Sequence, residues 1–462
     1  MILKNAKIYS DGVIREGAIL ISNGIIKSMK FNPSDDDYVT LDKNNKDGKE
    51  FDCEKRMIIP GIIDIHSHLR DMDQSEKETF LTGTSAAAFS GITTVFDMPN
   101  TKPPAINAEQ VKKWMKNARE NIFVDVGFIA GVPKQIEEEE IKKIIDLGIV
   151  GFKIYPHNPL NDIDWLNPYN IQKLLKLSSK YHIPIFIHPD LPVHERERER
   201  LYEKYNKEGL SALKIHDRIY STENEAKFVN YLIQNYDRVV KDDNLSPPEH
   251  PIVHLCHISC KDSFDLLSQD DNRSNISSIA RNISFEVTPH HLLLSNDLKL
   301  ENPNFGKVFP PLREKEHVSY LFQKLEQGDV RIIGTDHAPH TLKEKSESFN
   351  DAPSGFPGFE TYPFLLLEKL SLNNFVQVAS ENPAMRFNLS KKGFIKEGND
   401  ADVIIIEKVP EYALDSNAFK TKAKFSPYDG YKTSIMIWKV FLRGQQINLD
   451  EKEPKGKIVI RE

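Results

Sequence analysis

The chain has 462 residues, 61 basic against 68 acidic side chains, a net charge of −7 and 39% hydrophobic residues. This composition supports a core of ordinary size and excludes wholesale disorder, and the negative balance argues against a general nucleic-acid binder. Three cysteines, Cys53, Cys256 and Cys260, are too few for a disulfide framework and read as reduced thiols.

The first residues, Met-Ile-Leu-Lys-Asn-Ala-Lys, carry neither the apolar core nor the cleavage site of a signal peptide. No run approaches ~18 apolar residues free of charge. The expectation is a cytoplasmic protein with no membrane partner. Residues 1–9, 18–22 and 24–29 alternate like paired strands, with Asp11-Gly12 and Asn23-Gly24 as turn signals. The polar stretch 32–50 reads as loops around one short strand.

From there the rhythm changes. Apolar or β-branched runs fall at 58–66, 92–98, 123–129, 149–155, 183–188, 252–258, 283–288 and 330–336, and most are separated by helical patterns such as 108–119, 137–147, 169–181 and 223–234. Near-continuous apolar strands alternating with helices imply parallel strands covered on both sides. Eight of them suggest a closed barrel with its active site at the C-terminal strand ends. The alternating charges His194-Glu-Arg-Glu-Arg-Glu-Arg200 predict a solvated helix face in an insertion after the fifth strand, and 242–248 a linker. Residues 401–407 and 435–443 are strand-like again. The predicted fold is therefore α/β: a (β/α)8 TIM-type barrel over 56–386, with a small β-sandwich domain assembled from 1–55 and 387–462.

The polar residues at the strand ends carry the chemistry. Pro60-Gly-Ile-Ile-Asp-Ile-His66-Ser-His68 ends a buried strand with two imidazoles on one face, able to converge on one metal ion. An isolated pair of this kind would read as two unrelated loop residues, but other strands end in the same ligand types. Run four holds Lys153, costly in an apolar strand as a bare ammonium unless it is paired, neutralised or modified. Run five ends in His188, held extended by Pro189. Run six carries His254, Cys256 and His257; run seven carries Glu286, His290 and His291; run eight ends Asp336-His-Ala-Pro-His340.

In this order, His66-x-His68, Lys153, His188, His257 and Asp336 resemble the binuclear amidohydrolase superfamily. Within it the chain is similar to the long, class I dihydroorotases. Supporting stretches are His68-Leu-Arg70-Asp71, Asp97-Met-Pro-Asn100, Phe285-Glu-Val-Thr-Pro-His-His291, Pro310-Pro-Leu-Arg313, Asp336-His-Ala-Pro-His340-Thr and Pro353-Ser-Gly-Phe-Pro-Gly-Phe-Glu-Thr361. The resemblance spans nearly the whole chain.

It implies two Zn2+ per subunit, one on His66, His68 and Asp336 and one on His188 and His257, bridged by Lys153 carboxylated on its ε-nitrogen. His257 rather than His254 is the implied ligand, because it stands directly before x-Ser. The implied reaction is the reversible cyclisation of N-carbamoyl-L-aspartate to dihydroorotate and water in de novo pyrimidine (UMP) biosynthesis. A metal-bridging hydroxide would be the nucleophile and Asp336 the general acid/base, with Arg70, Asn100 and His340 holding the substrate carboxylate. The resemblance leaves room for a homodimer and for an aspartate transcarbamoylase partner.

Phe309, the Tyr155-Pro-His-Asn-Pro159 loop and Pro-Asp after His188 depart from the family pattern at positions that bear on substrate, not on metal. Cys256 and Glu286 read as a buried thiol and a carboxylate behind the ligands. Alternatives are a hydantoinase, dihydropyrimidinase or allantoinase with the same metal ligands, or a non-catalytic scaffold for a transcarbamoylase.

Overall fold

Strand β1 (Ile2–Ser10) opens an antiparallel meander with β2 (Val13–Ser22) and β3 (Ile25–Phe31). Its two turns are the predicted ones: Asp11-Gly12 and Asn23-Gly24 all take positive φ, the backbone that a two-residue hairpin needs to match strand twist. Two short strands, β4 (Glu50–Asp52) and β5 (Met57–Pro60), then lie parallel to β1. The computed structural model describes residues 1–34, 37, 41, 43–45, 48–268, 281–450 and 454–461. Much of the polar stretch 32–50 thus lies outside the described residues.

The run at 58–66, expected as one barrel strand, is two. β5 belongs to the terminal sheet, and β6 (Ile62–Ser67) enters the barrel after a break at Gly61. A Cβ on Gly61 would lie 2.2 Å from Thr93 Oγ1, so only glycine lets the chain pass between the two sheets at this point. After β6 come β7 (Ile92–Asp97), β8 (Asp125–Gly131), β9 (Gly151–Ile154), β10 (Ile185–Ile187), β11 (Val253–Leu255) and β12 (Ile283–Phe285). Each is parallel to the one before. Every residue of β6, β7 and β8 is buried, the physical reason these runs are apolar without alternation.

The eighth stave forms no continuous ladder. Bridges Val287↔Ile333 and Ser67↔His337 join it to β12 on one side and β6 on the other, which closes the barrel. Between the bridges a side chain replaces the ladder: the Thr335 N–H and Oγ1 donate to the buried Asp64 carboxylate at 3.1 and 2.5 Å. Helices cover the barrel through ordinary caps. Asn107 accepts from the Gln110 N–H at 2.9 Å and starts helix Ala108–Ala118, which buries Val111, Trp114, Met115 and Ala118. Helix Glu195–Lys207 buries no residue, as its alternating charges predict.

The terminal sheet is completed by β13 (Val403–Ala413), β14 (Lys432–Leu442) and β15 (Gln445–Gln446), in the order β15-β14-β13-β5-β1-β2-β3. As expected, both ends of the chain build one β unit, whose strands join in a continuous mixed sheet around a common core. The last strand, β16 (Ile458–Val459), leaves it and pairs with β8 on the barrel. Asp125 on β8 ties the two units together: it accepts from Lys392 Nζ at 2.7 Å and from Arg443 at 2.6 and 2.8 Å. The three cysteines are free and buried. Among the described residues no helix is long and apolar enough to cross a membrane.

Candidate metal centre

The C-terminal ends of the staves converge on one cavity of about 190 Å³, lined by His66, His68, His188, His257 and Asp336 together with Arg70, Asn100, Tyr155, His157 and Phe309. Three of these residues, Arg70, His257 and Asp336, hold left-handed backbone at φ 59°, 37° and 49°. Such conformations cost a non-glycine residue on the order of 1–3 kcal/mol and cluster where a site dictates them. Here each turns a side chain inward just as its strand ends.

His66, His68 and Asp336 form the tightest group. Asp336 Oδ1 lies 3.3 Å from His66 Nε2 and 3.0 Å from His68 Nε2, and one ligand atom from each fits within 4.8 Å of the others. Burial would raise the Asp336 carboxyl, but His66, His68 and His290 outweigh it and hold it well below the usual carboxylate range. His188 and His257 face them, with ring centroids 4.4 Å apart, and His257 is 5.2 Å from His66. Burial first, then neighbouring cationic groups including Lys153, push both rings well below the usual histidine pKa. They are neutral imidazoles, the form that ligates a cation.

His188 Nε2 and His257 Nδ1 are buried without a hydrogen-bond partner. Asp190 Oδ2 comes within 2.9 Å of His188 Nε2, yet the pair is not aligned for a hydrogen bond, and direction decides. Lys153, 1% exposed, has its Nζ 2.7 Å from Cys256 Sγ and 5.1 Å from the Tyr155 ring centre, with no carboxylate paired to it among the described residues. Orphaned ring nitrogens, an unpaired buried lysine and a carboxylate between two imidazoles are together a donor set that fits divalent metal.

Behind these groups stands a layer that orients them. Glu286 accepts from His66 Nδ1 on one oxygen and lies 3.2 Å from His254 Nε2 on the other, and His254 Nδ1 meets Ser284 Oγ at 2.8 Å. Burial would raise the Glu286 carboxyl; the two histidines outweigh it and bring it to about 2. Burial would lower the His66 imidazole, but Glu286, and after it Cys256 and Asp336, outweigh it and raise it to about 10. Cys256 completes a second close group with His66 and Glu286.

The substrate-facing residues separate. Arg70 is 7% exposed and among the described residues bonds only neutral groups: its Nη2 lies 3.3 Å from His340 Nε2 and its Nε donates to the Pro339 carbonyl at 3.4 Å. Asn100 Oδ1 accepts from His68 Nδ1 at 2.6 Å. His340 stands behind Arg70 rather than on the cavity wall, with Nε2 3.0 Å from the Ser354 carbonyl and Nδ1 3.3 Å from Lys77 Nζ.

Several supporting residues carry no motif of their own. Gly334 is one: a Cβ there would meet Glu286 Oε2 at 2.5 Å, so glycine makes room for the carboxylate that orients His66. Arg313, fully buried, pairs with Asp217 at 2.8 Å and Glu225 at 3.3 Å and donates to Ser259 Oγ at 2.8 Å, fixing the turn that carries His257. Asp71 accepts from the N–H groups of Met72 and Phe80, both at 2.7 Å, and so sets the loop on which Arg70 sits. His157 packs on His188 at 4.0 Å between ring centres. Arg313 and Asp71 lie inside stretches that carry the family resemblance, His157 lies in the loop that departs from it, and Gly334 stands out only as part of an apolar run.

Residues 57–459 match the amidohydrolase family. Dihydroorotases from Pyrococcus abyssi and Pyrococcus horikoshii are 31% and 32% identical to the chain, covering 99% and 90% of it and 98% and 88% of their own lengths. A dihydroorotase from Methanosphaera stadtmanae is 30% identical over 93% of the chain and 92% of its own. Among solved structures, an L-hydantoinase from Arthrobacter aurescens superposes with a TM-score of 0.83 at 24% identity, over 100% of this chain and 97% of its own. A dihydropyrimidinase from Brevibacillus agri gives 0.82 at 21%, over 100% and 98%. At these identities the two structures speak for the fold alone.

Proposed function

The chain belongs to the amidohydrolase family and, by its relatives, to the dihydroorotases within it, and from that premise we propose that it interconverts N-carbamoyl-L-aspartate and dihydroorotate at the barrel mouth. The observation that carries this reading is Arg70. Among the described residues no carboxylate is paired with this buried guanidinium, although the charges of Asp336, Asp97 and Glu344 offset part of its burial; an unpaired buried charge is expensive, and its planar fork suits a carboxylate supplied by the substrate. Hydantoin, dihydrouracil and allantoin rings carry no such carboxylate, which weighs against the hydantoinase, dihydropyrimidinase and allantoinase readings.

The metal cofactor belongs to the same proposal, as two zinc ions. His66, His68 and Asp336 would hold one and His188 and His257 the other, with Lys153, as its carbamate, shared between them. When bound, the pair supplies Lewis acidity to the amide carbonyl and an acidified water. The remaining steps fall to the chain's own groups. Arg70 holds the ring carboxylate, with the Asn100 amide nitrogen beside it and His340 steadying the guanidinium from behind. Asp336, kept ionised, accepts the proton of the attacking water and delivers it to the ring nitrogen as the C–N bond opens. In the biosynthetic direction it takes that proton from the carbamoyl nitrogen and returns it to the departing oxygen. Phe309 and His157 wall the cavity against bulk water.

A scaffold without catalysis is the less economical reading, since the chain retains all six residues that the resemblance names as ligands. With the proposal go a cytoplasmic setting, a homodimer and an association with an aspartate transcarbamoylase. Purified, zinc-loaded protein tests the activity: dihydroorotate should be consumed, turnover should vanish on chelation and zinc should restore it. A protein that carries zinc but leaves dihydroorotate untouched would overturn the reading.

A further inference from the structure

Beyond Phe309 lies a second cavity of about 470 Å³. Its wall toward the metal centre is thin. The Phe309 ring stacks on His188 at 4.9 Å and 5° on one side, and meets Tyr220 edge-on at 4.7 Å on the other. His157, Asn158 and Ser354 line both spaces. The far side is closed by helices Glu195–Lys207 and Ala212–Ile219 of the inserted segment, which bring Arg198, Tyr202, Ile215, His216 and Ile219 to it.

Its charge is one-sided. No carboxylate is among the lining residues, whereas Lys307 and Arg198 both are. Lys307, 7% exposed, donates Nζ to the Phe349 and Ala352 carbonyls at 2.6 and 2.5 Å, and among the described residues it makes no ion pair. Among the described residues Arg198 reaches only Glu195 of its own helix, at 3.4 Å, on the solvent side. Burial, and after it the like charge of Arg198, brings the Lys307 ammonium down to about 8, with Asp351 outside the lining offsetting part of this. Lys307 without an ion pair, and Arg198 paired only outward to the exposed Glu195, leave the lining with net positive charge that a bound anion would relieve. Beside the aliphatic Val193, Ile215 and Ile219, the wall carries the rings of Tyr220, Phe349, Phe309 and His216, which favour a flat partner.

We propose that this antechamber is a second binding site, selective for a planar ring bearing an anionic group, a carboxylate or a phosphate. Because Phe309 is packed between its occupant and the metal ligand His188, occupancy would be felt at the catalytic cavity. The inference does not need the catalytic reading to be correct, because it rests on binding.

Calorimetric titration of the zinc-loaded protein with uridine 5′-monophosphate, orotate and inorganic phosphate tests it. Expected are one saturable site per chain for the nucleotide, or two for orotate, one catalytic and one in the antechamber, with inorganic phosphate at least tenfold weaker. Whichever ring anion fills the antechamber identifies the head group it takes. Arg198→Glu should weaken that site tenfold or more; helix Glu195–Lys207 buries no residue, so the variant should fold, as circular dichroism can check. The proposal fails if the nucleotide does not bind and orotate saturates at one per chain, if Arg198→Glu changes nothing, or if phosphate alone binds as tightly as the ring anions.

Discussion

Asn100 Oδ1 lies 2.6 Å from His68 Nδ1, so a single amide reaches a proposed metal ligand with its oxygen while its nitrogen is left for the proposed substrate. The contact fixes the His68 tautomer, with the proton on Nδ1 and Nε2 free toward Asp336, as groups behind metal-binding histidines commonly do.

Two substitutions separate the roles of Asn100. Asn100→Ala should lower zinc affinity about 10-fold or more and raise KM for dihydroorotate. Asn100→Asp keeps an acceptor for His68 but sets a negative charge beside the substrate carboxylate, so it should retain zinc and lose turnover. Competition with a chelating dye, alongside steady-state kinetics, reads both. Equal zinc affinity in wild type and Asn100→Ala would limit the residue to substrate.

Glu286 makes the corresponding contact to His66. Glu286→Gln cannot orient His66 and His254 together through two charged oxygens, and zinc should bind about 10–100-fold more weakly. Much of the lost turnover should return at saturating zinc, because no step of the chemistry passes through Glu286. A loss of turnover that excess zinc leaves untouched would show a more direct role.

Asp336→Asn removes the proton carrier while leaving an oxygen that can still reach a cation. The variant should fold and keep most of its metal, with kcat lower by ~10²–10⁴-fold. Metal analysis and single-turnover kinetics on the same preparation are the measurement, and full activity would disprove the assignment.

At the joint between the two units, burial would raise the Asp125 carboxyl, but Lys392 and Arg443 outweigh it and hold it below its ordinary 3.8. A carboxyl with a depressed folded pKa contributes stability that is fully present above the unfolded value and is lost as pH falls through the folded one. Asp125→Asn should therefore destabilise the protein at pH 7, by less than the about 3–5 kcal/mol of a fully broken buried pair, since Arg443 loses its carboxylate while Lys392 keeps Asp402 at 2.6 Å. The cost should shrink below about pH 4, where the wild type loses the same contribution. Denaturant unfolding at pH 7 and pH 3 gives the comparison; a cost that does not change with pH would contradict it.

What could be read from the residues follows from what each position has to do. Barrel strands β6 to β8 are buried on both faces, so their apolar runs stand out, and the ligands stand out as the polar residues that end them. The eighth stave was legible as a run although it forms only two bridges, because its residues are as buried as those of its neighbours. The division at Gly61 was not legible: β5 and β6 are both apolar, and only the clash with Thr93 separates them. Arg70 was readable as a cation in a motif, but its lack of a partner was not, and that lack carries the functional argument. His340 follows the motif yet sits behind Arg70, a distinction that requires the fold. Phe309 was visible only as a departure from pattern; its meaning, a wall between two cavities, depends on the inserted helices Glu195–Lys207 and Ala212–Ile219, far earlier in the chain.

The central claim is that Arg70 selects a ring bearing a carboxylate. Its most direct test is kcat/KM for dihydroorotate, hydantoin, dihydrouracil and allantoin, measured side by side on the zinc-loaded wild type and on Arg70→Met. The account predicts that wild type prefers dihydroorotate by on the order of 10³-fold or more, and that Arg70→Met, still loaded with zinc, loses most of that preference. A wild-type preference for an uncharged ring, or a preference unchanged in Arg70→Met, would contradict it.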